Sequence, residues 1–200
     1  MAGSGRPRPD PTVAVRAMRP HEAGAVGRLT LEAYDRYGRI EGTYRDHLAD
    51  PARRLDAASA VLVAEVGGEL AGTVTYIRPG DPEWEGRPEP AGDAGFRILA
   101  VAPWAEGRGV ARALIQACLD RARRSGCRRL VVTSMEWMTR AHRLYDQLGF
   151  VHRRDLDVFF PSGLGHTFVL DLSDDAAAHF APPGPVPQTP PRALDVWTFR

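Results

Sequence analysis

The chain has 200 residues, 44% of them hydrophobic, which suits one domain with a real core plus tails. Its 26 basic and 25 acidic residues leave a formal charge of +1, so nothing in the whole-chain charge argues for nucleic acid or an acidic membrane as partner. No apolar run approaches a bilayer span, and the first residues lack the apolar segment of a secretory leader.

Residues 1–11 are dominated by Gly, Pro, Arg and Asp and read as a disordered lead-in. VAVRAM (13–18) reads as a short strand. Pro20 then opens a helix with Ala23, Val26, Leu29 and Thr30 at helical spacing, and Tyr34 and Tyr37 near its end. A second short helix is expected over residues 44–48, ending before Pro51. AVLVAEV and ELAGTVTYI alternate around Gly67-Gly68 and predict a hairpin with a tight turn. Residues 79–94 hold too much Pro, Gly and acid for a regular element and read as a long loop carrying Trp84.

The next stretch, 96–150, is the richest. FRILAVAP is a strand and EGRGVARAL a glycine turn. In the helix that follows, Val110, Ala113, Leu114, Ala117 and Cys118 make one apolar face. It stops at Ser125-Gly126, with Arg121, Arg123 and Arg124 at its negative end. RRLVVTS is a second strand, so the three elements close a parallel βαβ unit. The last helix runs through Ala141, Leu144, Tyr145 and Leu148 to Gly149. FVHRRD and GHTFVLDL finish the strands, and 174–200 is a Pro-rich tail ending DVWTFR, read as extended or disordered. Cys118 is a core thiol, and with Cys127 it makes no metal-ligand spacing, so no metal is expected. A reducing cytoplasm is the expected location.

Gly107 and Gly109 sit where a strand turns into a helix. Backbone N–H groups at a helix start lack intrahelical partners, and the dipole favours negative charge there. The turn lacks the Lys-Ser or Lys-Thr of a nucleotide P-loop and the third glycine of a dinucleotide fingerprint. What is left is a short anion cradle, to which Arg108 and Arg112 add positive charge. Tyr145, one element after the parallel unit, carries a phenol, a sensible acid toward a thiolate leaving group.

LAVAPWAEGRGVARALI and MTRAHRLYDQLGF together resemble the two signatures of the GNAT superfamily of acyl-CoA-dependent N-acyltransferases. In the first, Glu106, Gly107, Arg108, Gly109, Val110 and Ala111 match Gln/Arg-x-x-Gly-x-Gly/Ala, with Glu106 replacing the usual Gln or Arg. In the second, Met138 stands where the family commonly has Asn. The resemblance implies an α/β fold of α+β character over residues 12–173. Its central mixed, mostly antiparallel twisted sheet has about seven strands and a splayed parallel pair, with helices on both faces. It also implies N-acetyl transfer from acetyl-CoA to an amine of a small molecule or protein, by direct attack in a ternary complex, in a monomer or homodimer.

The resemblance assigns residues as well. Pyrophosphate would meet the N–H groups of Arg108, Gly109, Val110, Ala111 and Arg112, in the cofactor-binding turn that Gly107 opens. The pantetheine arm would follow the strand at Leu99 and Val101, and Tyr145 would be the general acid. No acid stands on the strand before the turn, where many relatives have a Glu. Glu136 is the nearest candidate base, with Glu83, Glu85, Asp93 and His142 as further options. The first two helices and the 79–94 loop would line the acceptor site with Tyr34, Tyr37, Tyr44 and Trp84. Two other classes stay open: a non-catalytic acyl-CoA-binding module, and a phosphate-binding α/β domain unrelated to CoA.

Overall fold

Apolar–polar alternation places three antiparallel strands at one side of an eight-stranded sheet: β1 (Val13–Ala17), β2 (Ala60–Val66) and β3 (Glu69–Ile77). The structure is a computed structural model that describes residues 12–38, 40–84 and 92–173. The lead-in, the Pro-rich tail and part of the long loop, Glu85 included, lie outside the described residues. Gly67 and Gly68 both take positive φ, 63° and 84°, as a two-residue hairpin turn requires. The other strands are β4 (Asp93–Val101), β5 (Arg129–Met135), β6 (Val151–His152), β7 (Val158–Phe160) and β8 (Gly163–Asp171). Their order is β1-β2-β3-β4-β5-β8-β6, with β7 also paired to β8. Among the described residues only β4 and β5 run parallel.

Pro20 starts a single 3-10 turn that leads into α1 (Ala23–Asp35). The second expected helix is α2 (Gly42–Ala49). Pro51, read as its stop signal, is also the first residue of an additional helix, α3 (Pro51–Ala57). Proline has no N–H to lose in a first turn, and the Asp50 carboxylate caps the helix by accepting the Arg53 N–H at 3.3 Å. α4 (Val110–Arg124) and α5 (Thr139–Gln147) follow the sequence pattern.

The expected strand at FVHRRD is shorter, because β6 ends at His152 and a 3-10 turn spans Arg154–Leu156. Arg153 pairs there with Asp155 at 2.6 Å, and the Thr167 N–H donates to Asp157 at 2.8 Å, which sets β7 off as a separate strand. That raises the strand number to eight.

Helices cover both faces, as the period of two dictates. Val61 and Val63 of β2 pack with Met18 and with Val26 of α1, and Leu55 of α3 lies against them. Leu62, Ala64 and Val66 belong to the main cluster, together with Leu114, Ile115 and Cys118 of α4.

Candidate active site

The site begins with a defect in β4. Between the pairs Thr75↔Arg97 and Thr73↔Ala100, β3 advances two residues while β4 advances three. The extra residue is a β-bulge, and Ile98 absorbs it at φ 52°. A β-branched residue with positive φ is strained by about 1–3 kcal/mol and persists only where its surroundings enforce it. Ile98 is buried, at 4% exposure. The bulge bends β4 away from β5, so the parallel pairing covers only Asp93, Ala94 and Gly95 against Arg129, Leu130 and Val131. Beyond that point the two strands splay.

A cleft of about 450 Å³ fills the splay. Its walls include Leu99 and Val101 of β4, Thr133 and Ser134 of β5, and Tyr145 of α5. Its end is the glycine turn: Gly107, Gly109, Val110, Ala111 and Arg112 all line it. Gly109 caps α4 at φ 78°. Among the described residues, no backbone acceptor takes the N–H groups of Gly109, Val110, Ala111 or Arg112, which leaves four donors at the positive end of the helix dipole. Arg108 is not part of this lining. Its N–H donates to the Ala105 carbonyl at 3.3 Å, and its guanidinium lies over the Trp104 ring at 5.6 Å.

Two cations at the mouth carry no signal in the local motif. Arg36, just past α1, and Arg140 in α5 both bind the Glu106 carboxylate, Arg140 at 3.1 Å. All three line the cleft. The Arg36 guanidinium first, with Arg140 behind it, holds the Glu106 carboxyl below the usual carboxylate range. Glu106 therefore gathers cations from two other elements to the position where Gln or Arg was expected. Arg36 also donates to the Val101 carbonyl at 3.2 Å, which ties it to the strand edge.

Tyr145 is 3% exposed, its ring held by Phe96, Phe150 and Phe168 at centroid distances of 6.0, 5.7 and 5.4 Å. Burial pushes its phenol well above the ordinary range, so it is protonated at neutral pH. Met138, at the N-cap of α5, accepts a hydrogen bond from Ser134 Oγ through its sulfur at 3.5 Å.

A second cleft of about 390 Å³ opens from the same splay, sharing Tyr34, Arg97, Ile98, Thr133, Ser134 and Met138 with the first. Ile40, Glu41, Thr43, Tyr44, Met135 and residues 160–162 complete it. Tyr34 lines both clefts, Tyr44 the second and Tyr37 the first. Trp84 does not: it is 3% exposed, and the described part of the 79–94 loop supplies no lining residue to either cleft.

The five acid–base candidates are scattered. Glu136 is exposed beside Gly163 and lines neither cleft. Glu83 is buried, 3.3 Å from both His47 and Arg97. Asp93 takes two hydrogen bonds of 2.8 Å from Arg129 at the closed end of the splay. His142 packs on His166 and Phe168. Glu85 is outside the described residues. The carboxylate lining the second cleft among the described residues is Glu41, at the N-cap of α2.

The family model described as acetyltransferase (GNAT) family matches residues 27–150, more than half of the chain. Among solved structures the chain is similar to a GNAT-family acetyltransferase from Desulfovibrio desulfuricans. Their identity is 19% and the TM-score 0.63, over 81% of this chain and 100% of that one. It is similar also to an acetyltransferase from Salmonella typhimurium solved with its cofactor acetyl-CoA, at 23% identity and TM-score 0.58, covering 86% and 98% of the two chains. A ribosomal-protein alanine N-acetyltransferase from Escherichia coli gives 16% identity and TM-score 0.58, over 81% and 95%. At these identities the likeness is one of fold. No curated protein sequence matches the chain.

Proposed function

The chain belongs to the acetyltransferase (GNAT) family, and on that premise we propose that it moves an acetyl group from acetyl-CoA to a primary amine. The observation that carries this reading is the coincidence in one cleft of three things. These are the β4 splay at Ile98, the glycine turn at Gly107 and Gly109, and the Tyr145 phenol.

Acetyl-CoA is the donor substrate. Its pyrophosphate lies against the N–H groups of Gly109, Val110, Ala111 and Arg112, with Arg36 and Arg140 as nearby cations. The pantetheine arm follows the strand at Leu99 and Val101, which β5 does not pair and where Arg36 holds the Val101 carbonyl. A backbone N–H there polarises the thioester carbonyl. The amine arrives through the second cleft, past Tyr34 and Tyr44, and attacks the carbonyl carbon in a ternary complex. Positioning supplies much of the acceleration. The C–S bond breaks with its electron pair on sulfur, and Tyr145 donates its hydroxyl proton to that thiolate. The ammonium proton leaves through water toward Glu41. Glu136 lies outside both clefts and is not carried forward as base.

The acceptor is an amine of a small molecule or of a protein. No helix among the described residues is long and apolar enough to cross a membrane. Cys118 and Cys127 are both free thiols, which supports a reducing, cytoplasmic setting. Calorimetric titration with acetyl-CoA tests the donor assignment. One saturable site per chain is expected, with a melting midpoint that rises as ligand binds the native state. An absence of both effects would return the turn to a phosphate-binding domain unrelated to CoA. A non-catalytic acyl-CoA-binding module gives the same titration but no transfer.

A further inference from the structure

Three side chains on the last strands meet without any role in acyl transfer. His152 ends β6, Asp157 precedes β7, and His166 lies in β8. His152 Nε2 is 3.0 and 3.1 Å from the two Asp157 oxygens. One ligand atom from each of the three residues lies within 4.8 Å of the other two, the one such group among the described residues. The His152 and His166 rings face each other at 4.6 Å with 22° between their planes. His142 stacks on His166 at 5.4 Å, and its Nε2 is buried with no protein hydrogen-bond partner.

We propose that His152, Asp157 and His166 bind one divalent transition-metal ion of the zinc class, with water completing the coordination. The donor set selects the ion. Two imidazoles and one carboxylate suit zinc and its first-row neighbours, whereas magnesium and calcium take oxygen ligands. The distances fit once the two stacked imidazoles turn so that their lone pairs meet at one ion. Zinc bonds of about 2.0–2.2 Å set ligand atoms roughly 3.3–3.5 Å apart in a tetrahedron. The His152–Asp157 pair already stands near that spacing, and the His166 nitrogen needs to close by little more than an ångström. The carboxylate is pre-positioned, because Thr167 N–H donates to its Oδ1 at 2.8 Å and leaves Oδ2 with His152 alone.

Each ligand is fixed to β8 by backbone pairing. His152 opposes Phe168, and Val158, next to Asp157, opposes Gly165. An ion there joins β6, the start of β7 and β8 into one unit. It also stiffens residues 160–162, a wall of the second cleft. Phe168 links the two regions, touching His142 at 5.0 Å, His152 at 5.1 Å and Tyr145 at 5.4 Å. The site stands whether or not the acyl-transfer reading holds.

The test uses untagged full-length protein stripped with a chelator and titrated with Zn²⁺ by calorimetry, with Mg²⁺ as control. One Zn²⁺ per chain is expected, with no heat from Mg²⁺. His152→Gln and His166→Gln are each expected to weaken Zn²⁺ by about tenfold or more. Absence of a single-site isotherm in wild type, or an unchanged affinity in both variants, overturns the proposal. If the variants fail to fold, imidazole NMR of wild type decides. Zn²⁺ must shift the His152 and His166 resonances and spare exposed His21; equal shifts of all three, or none, overturn the site.

Discussion

Replacing Tyr145 by Phe removes one oxygen and leaves the ring. The contacts with Phe96, Phe150 and Phe168 at 5.4–6.0 Å survive, as do the α5 C-terminal hydrogen bonds from Leu148 and Phe150 N–H to the residue's own carbonyl. No protein group among the described residues hydrogen-bonds the hydroxyl, so its loss orphans no partner. The stability change should stay within about 0.5 kcal/mol. The kinetic effect should be far larger. Loss of a general acid costs roughly 10²–10⁴-fold, about 2.7–5.5 kcal/mol of barrier. Thiol release at saturating acetyl-CoA and acceptor reads kcat directly, and the donor KM should hardly move because the hydroxyl acts only as sulfur departs. The sign of the pH effect follows from the raised phenol: its acid form persists through the neutral range, so Tyr145 itself imposes no loss of rate below about pH 10. A variant within twofold of wild type refutes the acid role. A variant that melts far lower shows the hydroxyl to be structural.

Gly109→Val combines a left-handed backbone with a side chain in the anion cradle. No atom lies within 4 Å of the new Cβ, so the main cost to the fold is the backbone strain of a β-branched residue at positive φ, about 1–3 kcal/mol. Calorimetry should show acetyl-CoA affinity falling at least about tenfold, and affinity equal to that of Gly109→Ala would contradict the cradle. Gly72→Ala puts a Cβ 2.8 Å from both the Ala100 carbonyl and Val110, beneath the start of α4. Urea melts should show a loss of roughly 1–3 kcal/mol, and a neutral result would mean that this contact yields freely. Arg16 holds the Glu22 carboxyl down to about 2. A depressed carboxylate stabilises above its unfolded value and loses that contribution as pH falls toward about 2. Wild type should therefore lose more stability between pH 5 and pH 2 than Glu22→Gln, and parallel curves would dismiss the pair.

The hairpin was readable because alternation and Gly67-Gly68 point the same way. The donor turn was readable because an apolar strand, two glycines and an amphipathic helix occupy consecutive residues. The splay was not. Ile98 is a good strand residue, and only the register of β3 against β4 forces it to positive φ. Arg36 and Arg140 escaped for a related reason, since the end of α1, the turn and α5 meet only once the sheet has assembled. Pro51 marks the end of α2 as expected, but α3 was not legible, because proline also suits the first turn of a new helix. Trp84 suggested a site loop but is core. The His152, Asp157 and His166 group has no recognisable spacing, because β8 brings its members together by pairing with both β6 and β7.

The central claim is transfer, and an acceptor screen tests it most directly. Purified protein is incubated with acetyl-CoA and a panel of small amines, amino acids and peptides with free amino termini. Thiol release is followed, and mass spectrometry locates the acetyl group. The account expects at least one primary amine to be acetylated on nitrogen, with one CoA thiol released per product and the rate strongly reduced by Tyr145→Phe. Saturable acetyl-CoA binding with no acceptor turned over, or acetylation that persists unchanged without the Tyr145 hydroxyl, would contradict it.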